Sequence, residues 1–214
     1  MFEEVLSKEA IEAIDLLAPR LREFYLASNT GLALQLGHRK SEDLDFFSNK
    51  MFNPDALLTS IPYDKKIFTE LGTVHCQIKG IRVSLFYYEP PLMYPPLKRH
   101  NIEVADVRDI GAEKIKTISQ RSAKKDFIDL FAILKMKHSI AEVCDFFRRR
   151  FKESDINLYH VLMSLVFFED AEQEPPPPML LEGKEWDWEN IKAFFLENIE
   201  SFEQAFGEDL QKRT

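Results

Sequence analysis

Two aspartates, Asp43 and Asp45, stand in the segment HRKSEDLDFF, residues 38 to 47. Read as a strand, the segment turns Ser41, Asp43, Asp45 and Phe47 to one face and Glu42, Leu44 and Phe46 to the other. The two carboxylates then lie about 7 Å apart at their Cα atoms, in a stretch whose hydrophobic content favours burial. Like charges so placed repel, and burial removes the water that would screen them, so the pattern asks for a cation between them. Carboxylate oxygens are the hard ligands Mg²⁺ prefers, and that ion is usually held by one or two carboxylates together with substrate phosphates. The short pattern alone is weak, because an exposed edge strand with solvated aspartates satisfies it equally well.

The residues just upstream offer the other half of such a site. EFYLAS reads as a short buried strand ending at Ala27, and NTGLALQLG as a helix closed by Gly37 in the C-cap role. Between them lies a polar loop, Ser28-Asn29-Thr30. A strand, a tight loop and a helix start aim unpaired backbone N–H groups and the positive helix end at whatever sits above, which suits a phosphate chain. The missing cation is then one or two Mg²⁺ (or Mn²⁺) ions carrying a nucleoside triphosphate.

Several elements must position these groups. SKEAIEAIDLLAPRL has apolar residues at helical spacing, with Ser7 as cap and Pro19 as stop. NPDALLTSI opens another helix, with Asn53 as N-cap and Pro54 at the first helical position. KKIFTELG, VHCQIKG and IRVSLFYY are strand-like runs, broken by Gly72 and by a tight turn at Lys79-Gly80. A proline-punctuated loop, EPPLMYPPL, follows. Beyond it the pattern predicts helices over 109–120, 122–137, 139–151, 154–168 and 187–208, with the tetraproline at 175–178 as an extended connector. The expected plan is α+β: an α/β domain over 1–100 and a helical domain over 101–214.

Composition bounds the rest. The chain of 214 residues is 45% hydrophobic with 18 Phe, enough for a substantial core. A net charge of -8 argues against a general nucleic-acid coat protein, though a local basic groove is compatible with it. No apolar run approaches the roughly 20 residues of a membrane span, and MFEEVLSKEAIEAI lacks a signal-peptide layout, so a cytoplasmic protein is expected. Cys76 and Cys144 form no CxxC and read as reduced core thiols; the 5 His show no metal-ligand spacing. The basic run Arg148-Arg149-Arg150-Lys152 reads as a solvated helix end, and Trp186 and Trp188 as docking residues.

FYLASNTGLALQLGHRKSEDLDFFS resembles the first motif of the AbiEii/AbiGii-type toxin family, within the polymerase-β-like nucleotidyltransferase superfamily. Thr30, Leu32, Ala33, Leu34, Leu36, Gly37, His38, Arg39, Ser41, Asp43, Asp45 and Phe47 fall in register with it. AEKIKTISQRSAKKDFIDLF is similar to the second motif, through Lys114, Arg121, Lys125, Asp126 and Asp129. By spacing alone, Asp126 and Asp129 share a helix face, and Lys125 and Asp129 are placed to pair. The resemblance covers about residues 20 to 180 and implies a nucleotidyltransferase fold: a small mixed sheet with flanking helices, followed by a helical domain. It implies transfer of a nucleoside monophosphate from a triphosphate to a hydroxyl acceptor, with RNA as acceptor and an antitoxin as partner. On this reading Asp43 and Asp45 hold metal, and Ser28, Asn29, Thr30, Arg39, Ser41, Arg121 and Lys125 contact nucleotide. Lys114 steadies the triphosphate, and Asp126 or Asp129 orients or deprotonates the acceptor.

Two departures from the family pattern stand out. Ser28-Asn29 replaces a glycine pair, so either Asn29 is expected to take the left-handed conformation that glycine adopts freely, or the loop stands further off the phosphates than a glycine-bearing one would. IRVSLFYY, the natural place for a third carboxylate, offers Arg82 and Ser84 instead. A catalytically silent module that binds nucleotide or a partner is the alternative these departures leave open.

Overall fold

The computed structural model describes residues 1–207, so Glu208, the last residue of the helix expected over 187–208, lies outside the described residues. The chain divides after Asp106 into two compact units. In the first unit, Ser7 caps α1 (Lys8–Leu17) by accepting the Ala10 amide at 3.1 Å. Next come β1 (Tyr25–Leu26), α2 (Ser28–Leu36), β2 (Leu44–Ser48) and α3 (Pro54–Ser60). Asn53 caps α3 through Asp55 and Ala56, and Pro54 opens it as expected. Three strands follow, β3 (Lys65–Glu70), β4 (Thr73–Ile78) and β5 (Ile81–Tyr87). The β4–β5 turn is Lys79-Gly80, both left-handed at φ 54° and 78°, the geometry that matches strand twist in a two-residue hairpin.

The sheet does not end there. Residues 97–104, placed by the sequence in loop and helical domain, instead form β6 (Leu97–Arg99) and β7 (Ile102–Val104). Their turn, His100-Asn101, is left-handed at both residues (φ 45° and 57°) but lacks the glycine that usually marks such a hairpin. The full strand order is β3-β4-β5-β2-β1-β7-β6. It is a mixed sheet: β1 pairs antiparallel with β2 and parallel with β7, while β2 runs parallel to β5.

One face of this sheet carries Leu44, Phe46, Val74, Cys76, Val83 and Leu85, all fully buried. With Ala10, Ile14 and Leu17 of α1 and Leu32, Ala33 and Leu36 of α2 they make the first core. The alternate positions Asp45, Phe47, His75 and Phe86 are only half-buried, so the other face is the more open one. Gly37 ends α2 at φ 67°, and a Cβ there would meet the Phe2 ring at 2.6 Å.

The second unit is helical: α4 (Val107–Arg121), α5 (Lys124–Met136), α6 (Ile140–Arg150), α7 (Leu158–Ser164), α8 (Glu169–Glu172), α9 (Trp188–Glu197) and α10 (Ile199–Phe206). The expected helix over 154–168 is shorter than its pattern, and the one over 187–208 breaks at Asn198. An aromatic cluster joins the helices. Trp186 packs edge-on to Phe131 at 5.3 Å, and Trp188 lies against Phe127 and Phe168 at 5.9 and 5.8 Å, which is the docking role. Arg150, expected in solvent, has its side chain buried, where it bonds Asp109 at 2.6 Å and Glu113 at 2.5 Å. Burial pushes the Cys76 and Cys144 thiols up to about 11 and about 12, so both stay protonated core residues.

Candidate active site

The loop between β1 and α2 and the start of β2 are tied together. As the chain leaves β1, the Ala27 amide donates to the Asp45 carbonyl at 3.2 Å. The helix then begins at once, and the Gly31 amide reaches the Ala27 carbonyl at 3.1 Å. Thr30 Oγ1 lies 2.6 Å from Ser41 Oγ and donates to the Asp43 carbonyl. The first turn of α2 is therefore stitched to the residues carrying the two carboxylates. Thr30 spends its hydroxyl on this stitch, so the backbone N–H groups of the turn are what it offers an anion.

The left-handed residue is Ser28, at φ 56°, whereas Asn29 lies within the helix and is buried. The left-handed residue thus falls one position before Asn29: the chain must turn as it passes from β1 into α2, and Ser28, the first residue of α2, makes that turn. Arg39 is 3% exposed and its Nη1 donates to the Lys40 carbonyl at 3.0 Å; Ser41 and His38 are buried too. Asp43 lies just before β2 and Asp45 within it, both half-buried. The donor set fits Mg²⁺ bound partly through substrate phosphates, since it offers two carboxylates beside a helix start. Among the described residues no group of three or more His, Cys, Asp or Glu side chains could hold a metal unaided.

In the second unit Lys114, Arg121, Asp126 and Asp129 of the other motif form an ion cluster. Lys114 of α4, 2% exposed, reaches Asp126 at 2.9 Å and Asp129 at 2.5 Å on α5. The half-exposed Arg121 clamps Asp126 with Nε at 2.7 Å and Nη2 at 3.0 Å. Burial by itself would raise the Asp126 pKa, but Lys114 and Arg121 outweigh it and hold the carboxyl below its ordinary value. Asp126 and Asp129 do share a helix face, and the partner they face is Lys114. The neighbouring Lys124, not Lys125, is the buried lysine of α5: its Nζ donates to the Glu174 carbonyl at 2.6 Å.

Sequence reasoning passed over His75. On β4 it is the cross-strand partner of Ser84 on β5, and Ser84 is the cross-strand partner of Asp45 on β2. His75 Nδ1 and Ser84 Oγ are 3.1 Å apart. A strand reading that alternates VHCQI puts His75 on the open face, but only the sheet order brings it beside Asp45.

Comparison with known proteins agrees with this architecture. Residues 80–208 match the family model described as nucleotidyl transferase AbiEii toxin, type IV toxin–antitoxin system. An uncharacterized protein of Aquifex aeolicus, aq_aa25, is 31% identical over 208 residues, spanning 92% of this chain and 97% of its own. Among solved structures, MenT4, a nucleotidyltransferase toxin of Mycobacterium tuberculosis H37Rv, superposes with a TM-score of 0.60 at 14% identity, covering 95% of this chain and 87% of that one. JHP933 of Helicobacter pylori gives 0.52 at 16% identity, covering 93% and 95%. The match takes in the second motif and most of the helical unit, and with it the chain belongs to the AbiEii family of nucleotidyltransferase toxins.

Proposed function

We propose that the protein transfers a nucleoside monophosphate from a nucleoside triphosphate to a hydroxyl of an RNA acceptor, with Mg²⁺ or Mn²⁺, as the toxin of an antitoxin-controlled pair. The observation that carries this reading is the stitch between the α2 start and the Asp43–Asp45 pair, which sets anion-binding amides beside cation-binding carboxylates. Asp43 and Asp45 hold the ion, whose charge offsets that of the triphosphate. Amides of Ser28, Asn29 and Thr30 receive phosphate oxygens, and Arg39 and Ser41 brace the segment between them.

From the second motif, Lys114 serves the leaving pyrophosphate, and Arg121 and Lys125 add positive charge for nucleotide. Asp126 and Asp129, both fully buried, hold that lysine, which is a different task from receiving the acceptor proton. In the reaction the acceptor oxygen bonds to the α-phosphorus, the bond to the β-phosphate oxygen breaks, and the acceptor proton passes to water. RNA as acceptor, a tRNA 3′ end included, comes from the family resemblance.

The test is incubation with each labelled triphosphate, Mg²⁺ and total RNA. Labelled RNA that requires metal is the expected result. Asp43→Asn with Asp45→Asn should abolish both labelling and the rise in Tm that metal and triphosphate produce together. Nucleotide binding without any labelled acceptor would instead make the protein a silent binding module.

A further inference from the structure

Cross-strand register lays the open face of the sheet out in rows. Asp45 on β2 stands beside Ser84 on β5, Ser84 beside His75 on β4, and His75 beside Phe68 on β3, the strand at the sheet edge. Strand spacing of about 4.8 Å puts Phe68 about 14 Å from Asp45. The row ends in two rings. His75 and Phe68 are 5.9 Å apart at their centroids and 36° from parallel, Phe86 adjoins His75 at 5.3 Å, and Phe68 is 48% exposed. A second row runs alongside, in which Gln77 pairs with Arg82 on β5 and with Lys65 on β3. Leu44 pairs with Val83, so Asp43, one residue earlier, stands level with Arg82. Arg82 and Lys65 are exposed, and neither forms an ion pair among the described residues. Glu70 pairs with Thr73, on the far side of the aromatic row from these cations.

We propose that this double row is a track for a single-stranded RNA acceptor: Arg82 and Lys65 take its backbone phosphates, the rings of His75 and Phe68 stack its bases, and its reacting hydroxyl lies at the Asp43–Asp45 end. This rests on the reading above that RNA is the acceptor. Cations that follow the backbone beside rings that stack bases hold a single strand without reading its sequence. A duplex keeps its bases stacked inside and offers none to Phe68. A strand added by a protein partner is the other use of an exposed sheet edge. Here β3 shifts register between Lys66 and Phe68, and such an irregularity, with lysines on the edge, hinders strand addition.

The test is fluorescence anisotropy of the full-length protein with a short labelled single-stranded RNA, with Mg²⁺ and no triphosphate, over a series of salt concentrations. The same RNA annealed into a blunt duplex is run beside it, and the Tm of each variant checks its fold. The single strand should bind more tightly than the duplex. Phe68→Leu keeps an apolar side chain but has no ring face, and it should weaken single-strand binding about 5- to 150-fold without changing the salt dependence. Phe68→Trp should stay within a few-fold of the wild type, which a purely structural role for the side chain would not produce. Lys65→Gln with Arg82→Gln should weaken binding and make the slope of log affinity against log salt shallower by about 1.4, two phosphates at about 0.7 each. Wild-type affinity and slope in these variants, or a duplex that binds as well as the single strand, would overturn the track and leave the transfer reading to the labelling experiment. Self-association that Phe68→Leu abolishes while RNA affinity is unchanged, read by analytical ultracentrifugation, would make the patch a contact between copies instead. A wild type that binds neither form of RNA would overturn the track, and with no labelled RNA the acceptor reading as well. Phe68-dependent binding of the single strand without any labelled product would keep the track and overturn the transfer.

Discussion

Truncating Lys114 to alanine removes the ammonium from between Asp126 and Asp129, two carboxylates with no exposure of their own. Stranding buried charges in this way costs about 3–5 kcal/mol, more than a catalytic lysine in solvent would. Lys114→Ala is therefore expected to lower the denaturant midpoint steeply, and a loss of nucleotide transfer in that variant alone is ambiguous. The triple replacement Lys114→Met, Asp126→Leu, Asp129→Leu removes the buried charges of the cluster and leaves only the half-exposed Arg121, and such swaps are often neutral for stability. If Lys114 serves the triphosphate, the triple variant folds and transfers nothing. Retained transfer would confine the lysine to the fold. The sign of the pH effect follows from the depressed Asp126 value. Its contribution to stability is complete above the unfolded carboxyl pKa of about 3.9 and is lost as pH falls through the folded value. Asp126→Asn, though less stable overall, should lose less stability than the wild type between pH 5 and the acid transition, in equilibrium unfolding followed across that range.

Helix starts show how element-level chemistry separates from site chemistry. Ser139 caps α6 with a complete capping box: it accepts the Glu142 amide at 3.3 Å, and the Glu142 carboxylate takes the Ser139 amide at 2.8 Å. Ser139→Ala should cost about 1 kcal/mol, visible as a lower Tm with transfer unchanged. At the start of α2 the strain lies at Ser28, whose left-handed backbone costs a non-glycine residue roughly 1–2 kcal/mol. Ser28→Gly relieves it and gives back about 0.5–1 kcal/mol through the freer unfolded chain. A small net gain in Tm is expected for Ser28→Gly, and none for Asn29→Gly, where the helix has no strain to release. Equal gains at both positions would contradict this placement of the turn.

Each unit of the molecule has a core of its own. The first is closed by aliphatic side chains of the sheet and of α1 and α2; the second gathers rings, among them Phe127, Phe131, Phe147, Phe195, Phe202 and Phe206. No helix among the described residues is long and apolar enough to cross a membrane. A fragment of residues 1–106 is thus expected to melt in one cooperative transition in circular dichroism, because every strand of the sheet lies within it. A fragment ending at 100 would lose β7, the parallel partner of β1, and should melt broadly or not fold.

Local signals in the sequence determined much of this protein: the caps at Ser7, Asn53 and Ser139, the Lys79-Gly80 turn, the alternation of β2 and the paired carboxylates all depend on residues a few positions apart. The β6–β7 hairpin escaped because strands of three residues carry too little alternation to register, and His100-Asn101 is not a glycine turn. The burial of Lys114 and Arg150 was equally silent in the sequence, where each reads as a solvated helical cation. Their carboxylate partners lie on other helices or in the following one, so only packing made them interior. His75 is the clearest case. Its neighbours in the chain say nothing of Ser84 or Asp45, and hydrogen bonding between strands distant in sequence, β4 to β5 and β5 to β2, set the three in one row.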